Sequence, residues 1–293
     1  FTNKLWNALR LINGWEVDDN KSQPMVNKLS INWFNNKFDN TLELINKNFD
    51  NYRISDVLMS SYRLIWDDFC SWLLEVLKPS FGEKIDKKSK GELVLLFEKN
   101  LKILHPFMPF LTEEIYHNLP IIDTSNPLTT SNWPNNEKYD LTIISEFEVT
   151  KEIISQIRNY RKEKNISFKT SLDLYYLPNK KQLNNIEIIK KIGSITNLEE
   201  SSKEKFNMVN SFMIKSYEFF IPLNDGFDKA AEIDKLKKEL GYNKGFLKSV
   251  ENKLKNESFV KNAPEAVVNI EKQKIIDVKQ KIESLKKSIS ELN

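Results

Sequence analysis

Apolar residues recur every three to four positions along the first 119 residues of this 293-residue chain. Such spacing places them on one face of a helix, and helices of this kind bury their apolar faces by packing together. Prolines and one glycine mark where the helices end, because proline lacks the backbone N–H that a helix interior needs. The pattern therefore predicts a helical bundle, with breaks at Gly14, Pro79, Pro106, Pro109 and Pro120.

The stretch from 146 to 222 has a different pattern. A helical segment over about 146–164 is followed by SLDLYYL at 171–177, whose partial alternation and β-forming residues predict a strand. The elements predicted after it are a helix at 179–192 and short strands near 196–200, 206–213 and 216–222. We interpret this region as a small α/β or α+β module, joined to the bundle by a polar, proline-containing loop.

Residues 228–293 carry the clearest helical repeat, in two arms of nearly equal length. Asn243 is a polar member of the first apolar seam, and Glu271 interrupts the second. Between the arms lies ESFVKNAPE, in which Pro264 suits the first turn of a helix and disfavours helix just before it. The pattern predicts an antiparallel coiled-coil hairpin, about 40 Å long at 1.5 Å per residue.

These patterns give a mainly α fold class and three predicted domains. We predict a helical-bundle domain at 1–145, a small α/β connecting module at 146–225 and an antiparallel coiled-coil arm at 228–293. Only 7 glycines and 10 prolines occur in the chain, which argues against a turn-rich β architecture.

The charge of the chain is small but unevenly distributed. The formal net charge is +3, which by itself demonstrates no nucleic-acid partner. Residues 229–293 contain 15 lysines against 10 acidic residues, so the rest of the chain is slightly acidic. A basic tail on a nearly neutral body favours an anionic partner for the tail. A lysine-rich, solvated coiled coil is the alternative interpretation of the same charges.

The sequence carries no motif for nucleotide, metal or redox chemistry: GxxxxGK[ST], GxGxxG, HExxH and CxxC do not occur. Cys70 is the only cysteine, and with only His105 and His117 to join it a zinc site does not fit. We therefore predict no catalytic residue, metal site or cofactor in this chain. A reducing, cytoplasmic location fits the cysteine usage, and there is no run of 18 apolar residues.

Residues 63–75, RLIWDDFCSWLLE, concentrate two tryptophans and two aspartates. Asp67 and Asp68 point about 100° apart on a helix, so they cannot form a paired acid–base site. Asp68 and Trp72 share a second face, for which solvated charge is the better interpretation from composition. The residues predicted to form the core face are Trp66, Phe69 and Leu73.

Several segments resemble the valyl-tRNA synthetase family. YRISDVLMSSYRLIWDDFCSWLLEVLKP at 52–79 and LKILHPFMPFLTEEIY at 101–116 resemble its anticodon-binding domain. The opening FTNKLWNALRL resembles the segment after the catalytic KMSKS loop, and ESFVKNAPEAVV resembles the turn of the C-terminal coiled coil of the bacterial enzymes. The motif HPFMPFLTEEI is shared with the isoleucine and leucine enzymes. The motifs WDDFC and FVKNAP indicate the valine enzyme.

The resemblance implies the C-terminal part of a class I valine–tRNA ligase. By the family's mechanism, the whole enzyme activates valine with ATP and Mg²⁺ and then esterifies tRNA(Val). The HIGH and KMSKS signatures, the catalytic core and the editing domain do not occur in this sequence, so the resemblance implies binding only. The implied partners are tRNA(Val) and the missing domains of the same enzyme, in a monomeric cytoplasmic protein. Because those domains are missing, the apolar surface that would pack against them should be exposed on residues 1–12.

The resemblance places anticodon recognition in the bundle and a grip on the tRNA elbow in the hairpin. Asn and Asp can read base edges, while Lys and Arg hold phosphates. The predicted anticodon contacts are Asn32, Asn36, Lys37, Arg53, Arg63 and Asp67. The predicted tRNA-backbone contacts are Arg158, Arg161, Lys162, Lys244, Lys248, Lys253, Lys255 and Lys261. For the first three of these, a solvated helix face and a contact with the missing catalytic domain are the alternatives.

Two other classes of function stay open. A coiled-coil interaction scaffold without RNA function would explain 228–293 but not the aromatic-rich bundle. A stand-alone tRNA-binding protein derived from a synthetase would explain both regions. The chain does not begin with Met, so a fragment or processed form is expected, and HIGH and KMSKS in frame upstream of Phe1 would identify it as part of the enzyme.

Overall fold

The computed structural model describes residues 1–120, 126–178, 182–206, 209–222 and 229–255, together with single residues between 269 and 286. The chain divides into two compact units, Phe1–Pro222 and Leu223–Asn293. Most of the described residues are helical, which confirms the mainly α fold class. The finer division into three domains stays a prediction.

The first 120 residues form the predicted helical bundle, and its helices end close to the predicted breaks. A two-residue parallel strand pair, β1 (Val17–Asp18) and β2 (Ile85–Asp86), ties the first interhelix loop to the start of a later helix. The helical elements are α1 (Thr2–Gly14), α2 (Met25–Asp50), α3 (Ile54–Arg63), a π-helical segment (Leu64–Leu73), α4 (Leu74–Leu77), α5 (Lys87–Leu104) and α6 (Pro109–His117).

Aromatic rings from separate helices meet in the centre of the bundle. Phe69 lies between Phe34 and Phe97, with ring centroids 5.5 and 5.1 Å apart, and all three side chains are fully buried. Trp33 of α2 stacks on Phe147 at 3.6 Å. Such pairs add to the hydrophobic stabilisation because the rings carry complementary charge distributions.

Trp66 does not lie in the core, so that prediction is wrong, although Phe69 and Leu73 are fully buried. Its half-buried ring stacks on Tyr62 at 5.7 Å, and the ammonium of Lys4 lies 4.0 Å from the ring centroid. Residues 64–73 are π-helical. Each turn therefore holds more residues than the 3.6 of an α-helix, and the three-residue spacing no longer keeps Trp66 on the face of Phe69.

The N-terminal helix α1 does not expose the apolar surface expected of it. Leu5, Leu9 and Ile12 are buried in the bundle core, and the other large apolar side chains of residues 1–12 are half-buried. Its outward side carries polar residues, among them Asn7 and Arg10. Any partner that meets this helix would therefore meet mostly polar groups.

Helix α7 (Leu141–Glu163) joins the bundle to the second module. Asp140 caps its start by accepting a hydrogen bond from the backbone N–H of Thr142 at 2.7 Å. Phe147 on this helix is buried in the bundle core, whereas Ile153 and Ile157 are buried in a second core under a small sheet. A single helix therefore contributes to both cores.

The second module confirms the predicted alternation of strands and helix. Its sheet has the order β4-β3-β6-β5; β3 and β4 are parallel and joined through a helix, and the other pairs are antiparallel. The parallel connection needs a crossover, which the helix supplies. These elements are β3 (Leu172–Tyr176), α8 (Ile186–Gly193), β4 (Ile195–Glu200), β5 (Val209–Ile214) and β6 (Tyr217–Pro222).

The C-terminal unit contains α9 (Lys229–Lys255) and described helical residues further along the chain. Lys253 lies 3.0 Å from the carboxylate of Glu271, and Glu251 lies 3.7 Å from the ammonium of Lys279. From residue 251 to residue 253 of α9, the number of the paired residue falls from 279 to 271. The two helical segments therefore run antiparallel. The turn, including Lys261, lies outside the described residues, and the complete coiled coil stays a prediction.

Paired substitutions test the two faces of the π-helical segment. Phe69→Ala should lower the free energy of unfolding by about 3–5 kcal/mol, because it empties a closed part of the core. Trp66→Ala should cost clearly less, since its ring is already partly exposed to water. Urea unfolding of the chain measures both values. Equal losses of unfolding free energy for the two substitutions would mean that Trp66 is part of the core.

Candidate nucleic-acid interface

A nearly buried ion pair lies where α2, the π-helical segment and α7 meet. The ammonium of Lys151 is 2.6 Å from one carboxylate oxygen of Asp68 and 2.9 Å from Glu148. Lys37 lies 3.9 Å from the other oxygen of Asp68. Asp68 is buried, so the interpretation of its face as solvated charge is wrong. The physical reason is that α7 covers this face.

Three aromatic rings surround the ammonium of Lys151. The centroids of Trp33, Trp72 and Phe147 lie 4.9, 5.8 and 5.8 Å from it. A cation near the faces of aromatic rings is attracted by their negative π-clouds, more strongly when water is excluded. The cluster therefore fastens α7 to the bundle, and it leaves Lys37 and Asp68 little freedom to contact an RNA.

The predicted anticodon contacts on α2 have different surroundings. Asn36 is occupied on both sides of its amide: its oxygen accepts from the backbone N–H of Asp140 at 2.7 Å, and its nitrogen donates to the carbonyl of Asn32 at 2.8 Å. The loop before α7 therefore uses Asn36 for its own attachment. The side chain of Asn32 is exposed, and Lys37 is paired as described above.

Arg63 and Asp67 remain open to solvent, four residues apart across the end of α3. Met59, one turn earlier on the same side of the helix, is 46% exposed. We refer to Met59, Arg63 and Asp67 as the α3 face. An exposed apolar side chain next to an arginine and an aspartate suits unstacked bases, which have flat faces and hydrogen-bonding edges.

Arg53 lies apart from the α3 face, at the turn between α2 and α3. Its guanidinium is 2.6 Å from the carboxylate of Asp56, and its side chain is 65% exposed. Tyr52 precedes it with a positive φ of 58° and is 89% exposed. The sequence reasoning did not single out Tyr52, because an exposed tyrosine and a core tyrosine have the same hydrophobic signature.

The basic residues of α7 are used largely within the protein. Arg158 lies 2.6 Å from Glu75 and 5.5 Å from the ring of Trp72. Arg161 is 2% exposed and donates only to backbone carbonyls. A phosphate cannot reach a guanidinium that is buried in this way. Arg161 therefore does not belong to the proposed interface. Lys162 is exposed.

The described lysines of the arm are exposed along α9. Lys244 and Lys248 are four residues apart and so lie on one side of the helix, with Lys255 further on. Lys253 is also exposed, but it is paired with Glu271. An exposed row of ammonium groups can follow a phosphate backbone, because each is a flexible point charge.

Neither metal chemistry nor a reactive thiol is apparent in the part of the chain that the structure describes. No cluster of three His, Cys, Asp or Glu side chains there could hold a metal ion. Burial raises the pKa of the Cys70 thiol to about 12, which disfavours the nucleophilic thiolate. Within the same residues, no helix has the length and apolarity to cross a membrane.

Comparisons with known proteins match two ranges of the chain to family models. Residues 32–176 match the family model of the anticodon-binding domain of tRNA ligases, and residues 228–293 match that of the valyl tRNA synthetase tRNA-binding arm. Together the two matches identify the tRNA-binding domains of an aminoacyl-tRNA synthetase. The α3 face lies within the first match, and the exposed lysines of α9 lie within the second.

The full chain is also similar to individual curated proteins. It is 46% identical over 294 residues to the valine–tRNA ligase of Christiangramia forsetii and 37% identical over 294 residues to that of Parabacteroides distasonis. It is 33% identical over 315 residues to that of Clostridium perfringens. Each alignment covers 100% of this chain, and the chain spans about a third of the length of these relatives. The chain belongs to the valine–tRNA ligase family, which confirms the resemblance.

Removing the cation at the α7 junction should destabilise the protein strongly. Lys151→Met leaves the buried Asp68 without its closest partner, so we expect a loss of about 3–5 kcal/mol in the free energy of unfolding. Lys162→Met, on the exposed side of the same helix, should change it by less than about 0.5 kcal/mol. In a double-mutant cycle, Asp68→Asn combined with Lys151→Met should cost less than the sum of the single changes. If the double mutant loses as much stability as the two single mutants together, the two residues are not energetically coupled.

The reactivity of Cys70 gives a separate test. With a pKa of about 12, only about one thiol in ten thousand is ionised at pH 8. We expect alkylation by iodoacetamide at pH 8 to be at least about a hundredfold slower in the folded chain than in concentrated urea, where the thiol regains an ordinary pKa near 8.5. Equal rates would mean that the thiol is solvated in the folded protein.

Proposed function

We propose that the chain is the tRNA-binding portion of a longer valine–tRNA ligase. The observation that carries this proposal is that both tRNA-binding family models match one chain, which aligns over its full length with about a third of the relatives. The whole enzyme would activate valine with ATP and Mg²⁺ and transfer it to tRNA(Val). This portion would supply binding, as a monomer in the cytoplasm, alongside the catalytic and editing domains of the same enzyme.

The reaction needs such a portion because the amino acid pocket cannot identify the tRNA. A hydrophobic pocket separates substrates that differ by one methylene by only about 1–3 kcal/mol, and it makes no contact with the anticodon. The identity of the tRNA must therefore be read elsewhere. A rigid bundle is suited to this task, because it holds contact groups at fixed positions far from the reactive end.

Within the bundle, we propose the α3 face as the principal contact with the anticodon. The guanidinium plane of Arg63 can stack on a base, and the carboxylate of Asp67 can accept from the amino group of cytosine. Met59 supplies apolar contact beside them. Of the other predicted contacts, Asn32 and Arg53 have exposed side chains, and they would act at the edges of this surface.

In the arm, we propose that the exposed lysines hold the outer corner of the tRNA by its backbone. Phosphate contacts carry no sequence information, so this grip would add affinity rather than specificity. The α9 residues proposed for it are Lys244, Lys248, Lys253 and Lys255, with Lys261 outside the described part. An interaction scaffold without RNA function accounts for the arm alone and leaves the match over 32–176 unexplained.

Salt-dependent binding of a valine tRNA transcript tests the proposal. Deleting 228–293 should weaken binding and lower the slope of log affinity against log salt by about 0.7–0.9 for each phosphate that the arm neutralises. The preference for a valine over a foreign anticodon should survive the deletion, because the bundle carries it. Arg63→Ala in the full chain should reduce that preference and leave the contribution of the arm in place.

The opposite pattern would contradict the proposal. Equal affinities and slopes for the full chain and for 1–227 would make the lysines of the arm a solvated face. No binding of the transcript by the full chain, at low salt and with intact folding, would remove the tRNA-binding function itself.

A further inference from the structure

The buried guanidinium of Arg161 organises a loop that the proposed function does not use. It donates to the carbonyls of Ser167 and Thr170 in that loop, at 2.9 and 2.8 Å. It also donates to the carbonyls of Gly193 and Ser194 at the end of α8, at 2.9–3.3 Å. One buried cation thus binds four carbonyls from two separate chain segments. We refer to residues 164–171 as the α7–β3 loop.

The backbone of the α7–β3 loop is also held at its own ends. Asn165 adopts a positive φ of 52°, and the N–H of Ile166 donates to the carbonyl of Arg161 at 2.8 Å, which closes the helix. The N–H of Lys169 donates to the hydroxyl of Ser167 at 3.2 Å. The loop is therefore positioned before any partner arrives, which reduces the entropy cost of binding.

This positioned loop presents an aromatic ring that the core does not use. Ile166 packs against the second core, whereas Phe168 is 51% exposed. The guanidinium carbon of Arg161 lies 5.2 Å from the centroid of the Phe168 ring and supports it. Lys162 and Lys169 on either side are exposed, and Glu163 is the only acidic residue in 162–171.

We infer that the α7–β3 loop is an additional RNA contact, in which one unpaired base stacks on Phe168 and neighbouring phosphates lie against Lys162 and Lys169. Every base has a flat π-face, so such a contact adds affinity without sequence preference. RNA fits better than a protein partner because the exposed residues that flank the ring in the loop, Ser167, Lys169 and Thr170, are polar or basic. The inference rests on the proposed tRNA-binding function and extends it to the second module.

Phe168→Ala in the full chain tests the stacking contact with a valine tRNA transcript as the probe. We expect affinity to fall by roughly 5- to 150-fold, the range for removal of one base–aromatic stack. The salt slope should stay unchanged because no charge is removed, and Phe168→Trp should retain binding. Phe81→Ala is the matched control, since Phe81 is fully exposed in a loop without this arginine support.

The lysines give a second, independent readout. Lys162→Ala combined with Lys169→Ala should lower the salt slope by about 0.7 for each phosphate that these lysines neutralise. Urea unfolding should show unchanged stability for these exposed substitutions. Phe168→Ala could bind the transcript as tightly as the unaltered chain, while deletion of 228–293 still weakens binding. That result would overturn the loop contact and leave the proposed function in place.

In the complete enzyme, the same substitution separates RNA from a protein partner. A contact with tRNA predicts that Phe168→Ala raises KM for tRNA and leaves valine-dependent ATP–pyrophosphate exchange unchanged. If exchange falls as much as aminoacylation, the loop supports the catalytic portion of the enzyme, and the RNA contact is overturned.

Discussion

The attachment of helix α7 to the bundle is the contact on which the first unit depends. The ammonium of Lys151 pairs with Asp68 among the rings of Trp33, Trp72 and Phe147. Beyond this point the same helix enters the core under the sheet. Because one rigid helix belongs to both cores, the bundle and the sheet module cannot move far relative to each other without breaking this buried pair.

The charged residues divide into those that hold the protein together and those that remain available. Lys37 and Arg161 are predicted from the sequence to contact RNA, yet each is engaged by side chains or backbone of the protein. Arg63 and Lys162 stay exposed. Internal contacts decide this difference, since a buried charge must find partners inside the protein whereas an exposed one is satisfied by water.

The π-helical segment contains adjacent residues that serve these opposite purposes. The carbonyl of Trp66 accepts from the hydroxyl of Ser71, five residues on, and from the ammonium of Lys4 on α1. Asp68 lies under α7, whereas Asp67 faces solvent. Because adjacent positions on a helix point in different directions, one aspartate is structural while its neighbour can meet a base.

The sequence alone determined the helices of the bundle, the strands after residue 171 and the family, because periodicity, proline breaks and family motifs are local in the chain. Breaks at Gly14, Pro79 and Pro106 required no knowledge of neighbours. The tertiary structure alone decided that Asp68 is buried, that Trp66 is half-exposed and that Arg161 supports a loop. Each of these depends on a partner distant in sequence, such as Lys151, 83 residues from Asp68, and no local pattern encodes that proximity.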